Sequence, residues 1–392
     1  MIALASITGS FITLLALIGS LFAVVSIARN PIEKLPTEGL WLSLAFGVYF
    51  LVLAATTALN GPDPNRFIEL VLISPFVYFI PLALVLPVRC HDINLRGLGR
   101  AAMIGTVPTA LLALAFSAWI TGLDRPRLAP GNSNVLAALL LLQTFLCLAG
   151  WGETGKRERL ISLSVATIGF VGLVIGVGSV GASLTAVILA VIFFVYWLRF
   201  QTRFVKVLSA YAFLTFIIAI AFTFLPLFWK QGLDVISKVT EPGFGDWSTS
   251  TWTRLTLYRA AVLAIADNPW VGLGQHLRYD GTLPYHAVSP PDYAYYTHMH
   301  NLLLTHGTAA GIPGILAALS LFFVTLVVSF RRAQPSAAVR WLGLTSFSSL
   351  FSLGLTETVL FHDLNTTFYM FVFVLVAVFS YQARLRDQHI RS

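Results

Sequence analysis

The chain has 392 residues, of which 57% are hydrophobic and only 11% charged, with a mean hydropathy of +0.81. Soluble domains carry roughly a quarter charged residues, so the composition excludes a soluble enzyme on a single anchor and points to an all-α polytopic membrane protein. The net charge of +8 reads as a topology signal, and no nucleic-acid partner is expected.

A bilayer crossing takes about 20 apolar residues. In chain order such runs lie near 5–27, 38–58, 67–87, 101–121, 135–150, 160–178, 180–198, 207–228, 302–330, 338–360 and 365–383. That makes about 11 transmembrane helices, or 12 if the first run hides two crossings. The run 160–198 is too long for one span and is divided at the glycine-rich Gly176-Val177-Gly178-Ser179-Val180-Gly181. No basic stretch precedes the first span, so no cleavable signal peptide is expected. The whole of 1–392 is read as one membrane domain.

Basic residues gather at Arg29/Lys34, Arg89/Arg96/Arg100, Lys156/Arg157/Arg159, Arg199/Arg203/Lys206, Arg331/Arg332/Arg340 and Arg384/Arg386/Arg391. These are alternate loops, which the positive-inside rule assigns to the cytoplasm, with anionic membrane lipids as neighbours. The C-terminus is then internal and the 229–298 loop external. The N-terminus is external with 11 spans and cytoplasmic with 12. Cys90 and Cys147 fall in different locations and show neither disulfide nor metal-ligand spacing.

The 229–298 loop is rich in Trp and Tyr, so it can bury surface. A helix is predicted over 249–268, with Asp246, Ser248 and Thr249 available as caps and Asn268-Pro269 as its stop. It carries Arg254 and Arg259, about 140° apart on a helical wheel, on largely apolar flanks. Arginine in such a place favours an anion, because its planar fork donates two parallel hydrogen bonds. The bland reading is a surface arginine reaching for lipid head groups.

Next come His298, Met299, His300 and Asn301, at the start of an apolar helix that breaks at Gly311-Ile312-Pro313-Gly314. Histidine titrates near neutral pH and suits general-base work. If both histidines begin that helix, their i, i+2 spacing turns them about 160° apart. No further His/Asp/Glu pair stands at metal-site spacing, so no metal is expected. Asn301 can fix an imidazole tautomer or grip a sugar hydroxyl. His276, His286 and His306 carry no motif and read as ordinary polar or interface residues. Glu357 and His362, near the tenth span, are polar residues at membrane depth to which no role attaches.

Three pieces in order carry a resemblance: Thr253-Arg254-Leu255-Thr256-Leu257-Tyr258, then Asp267-Asn268-Pro269-Trp270-Val271-Gly272-Leu273-Gly274, then the His298-Met299-His300-Asn301 step with its glycine break. Together they resemble the bacterial O-antigen ligase and polymerase superfamily. The resemblance implies a periplasm-facing glycosyltransferase of the inner membrane. Its donor would be an undecaprenyl-diphosphate-linked O-antigen and its acceptor a hydroxyl of the lipid A–core oligosaccharide. It implies inverting transfer with no metal or other cofactor, His300 as the motif histidine and Arg254 at the diphosphate. Family members often carry a Ser/Thr-Arg step where this chain has Ser179-Val180, so a second cation must come from elsewhere. Arg259, Arg127 and Arg66 are the external candidates, and His298 and Asn301 are candidate substrate contacts. A polymerase of the same superfamily is the nearest alternative. A lipid-linked glycan flippase, the alternative of another class, should show broken helices in matching halves, and no such symmetry is visible.

Overall fold

The computed structural model describes residues 11–61, 70–71, 73–90, 93–119, 133–198, 237, 245–246, 250–291, 296–331 and 336–391. Among them the chain is helical and contains no strand. The helices are α1 (Phe11–Arg29), α2 (Thr37–Leu59), α3 (Pro75–Arg89), α4 (Leu95–Trp119), α5 (Ser133–Leu146), α6 (Lys156–Val171), α7 (Val180–Leu198), α8 (Ser250–Asp267), α9 (Leu302–Phe330), α10 (Ala337–Gly354) and α11 (Asp363–Arg391).

Eight helices among the described residues are long and apolar enough to cross a membrane, so the chain is a multi-pass membrane protein. The run 207–228 lies outside the described residues, as do Arg66 and Arg127. Helix α3, expected over 67–87, is described as only 15 residues. The span expected over 338–360 stops at Gly354, and residues 355–362 form turns instead.

Every residue of α5 from Val135 to Leu146 is buried, and in α11 so is the run 372–379. Helix α1 turns Phe11, Leu21 and Phe22 outward. An exposed apolar face of that kind would be a liability in water and is ordinary against lipid. Around the core, α2 packs on α9 and α3, α3 on α11 and α1, and α10 on α7 and α9.

The basic loops meet at one end of the bundle. Arg384 pairs with buried Glu38 at 3.1 Å, Arg331 lies over the Trp41 ring, Arg96 pairs with Glu158 at 3.4 Å, and Arg89 bonds Ser26. Residues 268–291 and 296–300 sit at the other end, where the Gln275 N–H donates to Thr57 Oγ1 at 3.3 Å. Among the described residues the alternation of basic loops seen in sequence is thus a spatial segregation; Arg199, Arg203 and Lys206 lie outside them.

Helix α9 is interrupted. Ala310 and Gly311 leave helical geometry, Gly311 with φ +64°. Backbone groups freed inside a membrane helix must find partners, and residues 269–274 supply them. The Leu273 N–H donates to Thr308 O (2.7 Å), the Gly274 N–H to Ala309 O (2.9 Å), and the Ile312 N–H to Pro269 O (2.6 Å). Gly272 (φ +65°) lies so close that a Cβ there would stand 2.5 Å from Ala310 N. The Pro-Trp-Val-Gly-Leu-Gly string is therefore a plug for a broken helix.

Candidate active site

The site forms where four distant pieces of chain meet. Helix α8 brings Arg254 in its first turns. The segment before α9 brings His298 and His300, the start of α5 brings Asn134, and the turn between α10 and α11 brings Glu357.

Glu357 gathers the others. Its Oε1 accepts from His298 Nε2 (3.2 Å) and His300 Nδ1 (3.1 Å), and from its neighbour's N–H at Thr358 (3.3 Å). Its Oε2 accepts from Asn134 Nδ2 (2.6 Å) and pairs with Arg254 at 3.7 Å. An ionised carboxylate only accepts, so each histidine must carry a proton on the nitrogen facing it. His300 is thereby held with Nε2 as its lone-pair nitrogen. His298 presents Nδ1 as acceptor to the Thr297 hydroxyl at 3.0 Å. Burial pushes the Glu357 carboxyl up, but the hydrogen bonds from His298 and His300 outweigh it and hold the group well below the usual carboxylate range. Burial lowers the proton affinity of His298, against the raising effect of Glu357.

The histidines do not diverge as expected. Helix α9 begins at Leu302, capped by Asn301, so residues 298–300 are loop and not helix. The intervening Met299 side chain is fully buried with Leu257, Ala261 and Tyr279. With Met299 anchored there and His300 turned by a positive φ, both imidazoles face Glu357. The ring centroids of His298 and His300 are 4.6 Å apart. His300 adopts φ +48°, a left-handed conformation that costs a non-glycine residue about 1–3 kcal/mol and clusters at functional sites. Its carbonyl accepts from Tyr258 Oη at 2.9 Å, which helps hold it there.

Asn301 is occupied by structure at both ends of its amide. Oδ1 accepts from the Leu304 N–H (3.0 Å), and Nδ2 donates to Leu355 O (3.0 Å). His306 packs edge-on to Tyr49, with Nε2 and Tyr49 Oη 2.8 Å apart. Arg259 does not line the cavity described next. Two participants were not singled out from sequence. Glu357 had been noted without a role, because its partners lie 57 and more residues away. Arg278, buried at 4% exposure, stands over the Phe361 ring at 4.0 Å, a ring that His298 also meets, tilted by 37° at 5.6 Å.

Beside Arg254 and Glu357 is a cavity of about 320 Å³, lined also by Asn134, Ser179, Thr251, Thr356, His362 and Asn365. Ser179 and Gly181 do reach it, so the place of the missing Ser/Thr-Arg step is at the site, without its cation.

No further His/Asp/Glu pair stands at metal-site spacing in the sequence, but the fold brings Glu357 in from far along the chain: His298, His300 and Glu357 offer ligand atoms all within 4.8 Å of one another. Arg254 and Asn134 address the same carboxylate, so its charge is already engaged by a cation and a donor. The arrangement suits proton transfer next to a bound anion at least as well as it suits a metal.

Residues 163–319 match the family model described as O-Antigen ligase, a stretch running from α6 through the break in α9. No curated protein matches the chain.

Proposed function

We propose that this membrane protein, which carries a domain of the O-antigen ligase superfamily over residues 163–319, transfers a glycan from undecaprenyl diphosphate to a sugar hydroxyl of lipid A–core at the periplasmic face of the inner membrane. The observation that carries the reading is the single carboxylate, Glu357, that holds both histidines and Arg254 while itself lining, with Arg254, a cavity of mixed polar and apolar walls.

In this reading the acceptor hydroxyl gives its proton to His300 Nε2 as its oxygen bonds the anomeric carbon. Glu357 stabilises the imidazolium that forms, as the carboxylate of a catalytic triad does. The bond from the anomeric carbon to the diphosphate breaks on the opposite face, so the centre inverts. Undecaprenyl diphosphate leaves with its new charge beside Arg254, an electrostatic contribution of the kind that dominates many enzymes. His298 shares Glu357 and completes the dyad's setting. No metal has a role in this scheme.

The test is a strain lacking the gene. Uncapped lipopolysaccharide with undecaprenyl-linked polymer still present supports the ligase. Core carrying a single repeat unit identifies a polymerase, and unchanged capping refutes both.

A further inference from the structure

We propose that the cavity beside Arg254 is a sugar subsite, in which Asn365 and His362 read hydroxyls of the first residue of the lipid-linked glycan. The inference rests on the transfer reaction above and assigns which part of the donor lies where.

The cavity's charges are nearly spent on each other. Its one arginine among the described residues, Arg254, lies 3.7 Å from Glu357. Among the described residues the remaining polar lining is neutral: hydroxyls of Ser179, Thr251 and Thr356, and the side chains of Asn134, His362 and Asn365. Burying an anion deep among such groups is costly without a partner cation, whereas a neutral molecule with many hydroxyls can bond to them. The diphosphate therefore belongs at the Arg254 side and the sugar attached to it beyond.

Asn365 makes the reading specific. It lies in the first turn of α11, is 1% exposed, and its amide oxygen has no hydrogen-bond partner. Buried polar atoms are nearly always paired. Its neighbours follow that rule: Thr366 Oγ1 donates to Leu360 O (2.9 Å), and Thr367 Oγ1 bonds Thr13 Oγ1 (3.0 Å). Asn365 lines the cavity, and a turn of its amide would bring the unpaired oxygen, closed off as it stands, to a hydroxyl donor. Asn365, His362 and Glu357 all lie beyond the residues that match the family model, so this wall of the site belongs to the part of the chain that the match leaves uncharacterised.

The experiment measures binding of two probes to the full-length protein in nanodiscs: undecaprenyl diphosphate alone, and undecaprenyl diphosphate carrying one N-acetylhexosamine. The intact protein should prefer the sugar-bearing lipid. Asn365→Leu should lower affinity for that lipid by about 3- to 10-fold, the worth of one neutral hydrogen bond, and leave bare undecaprenyl diphosphate unchanged. Arg254→Ala should weaken both. His362→Gln, which keeps a polar side chain of similar reach, should show the same selective loss and serves if Asn365→Leu does not fold. Equal losses on the two probes, or no preference for the sugar in the intact protein, overturn the subsite. Failure of the intact protein to bind either lipid instead removes the transfer reaction on which it rests.

Discussion

Replacing Glu357 with glutamine keeps the shape of the side chain and removes its charge, and the geometry says why the amide cannot substitute. Donors approach both oxygens: His298 and His300 at Oε1, Asn134 and Arg254 at Oε2. With the amide carbonyl turned to the histidines, its NH₂ faces Asn134 and Arg254. With the carbonyl reversed, the NH₂ faces two imidazole N–H groups, and His300 regains compatibility only by moving its proton to Nε2, the nitrogen needed as base. A buried donor left unmatched costs about 1–3 kcal/mol, so thermal unfolding should show a loss of that size. Loss of an oriented general base costs about 100- to 10,000-fold in rate. In a transfer assay with purified protein, Glu357→Gln should therefore lose kcat on that scale while donor KM changes little. The carboxyl's folded-state pKa is lowered, so its stabilisation is fully present above an unfolded value of about 4.3 and fades only as pH falls below that. The stability gap between Glu357 and the glutamine variant should accordingly be constant through neutral pH and close in acid. Wild-type kcat in Glu357→Gln would refute the proposed dyad.

Arg254→Ala should reduce transfer by about 10- to 1000-fold, and Arg254→Lys should restore only part of it because the bidentate fork is lost; full activity in Arg254→Ala removes it from the mechanism. His300→Ala should abolish transfer, His298→Ala should cost about 10-fold or more because the shared carboxylate loses one donor, and both the parent and its activity should survive a chelator; inactivation by chelator with recovery on zinc would instead make His298, His300 and Glu357 a metal site. Gly272→Ala should destabilise the fold by at least about 1–3 kcal/mol, since φ is +65° and its Cβ would meet Ala310 N at 2.5 Å; unaltered thermal unfolding would sink the plug. Burial lowers the pKa of His298 and of His286 in the segment between α8 and α9, so the stability they contribute is present above about pH 6.5 and lost as pH falls below it; melting temperature should decline from pH 6.5 towards 5, and a flat profile would contradict this.

Local chemistry was readable wherever neighbours in sequence decide it. The helix expected over 249–268 is Ser250–Asp267, stopped at Asn268-Pro269 as anticipated, and the span over 302–330 has those bounds because Asn301 caps it. Arg254, His298 and His300 were read as site residues from their types and order, and they do converge. What could not be read is the partner that makes them converge: nothing near Glu357 in sequence announces two histidines 57 and 59 residues away. The relative facing of the histidines failed for a local reason, since residues 298–301 precede the helix instead of forming its first turn and His300 takes a positive φ. Asn301 seemed suited to a substrate hydroxyl because a cap and a ligand contact look alike in sequence. Arg278 went unremarked because only the fold puts its guanidinium against the aromatic face of Phe361.

The seam between residues 269–274 and the break in α9 limits how this protein can be rebuilt. Three backbone bonds cross it, and side chains contribute nothing to them. Point substitutions in Trp270 or Val271 should thus be tolerated far better than any change of loop length, because a one-residue insertion shifts all three bonds out of register. For the same reason a chimera that borrows residues 269–274 from a relative must borrow the broken helix with them. Exchanging one alone would pair a stopper with a gap it was not cut to fit, and the failure would be seen as poor insertion and not as altered substrate choice.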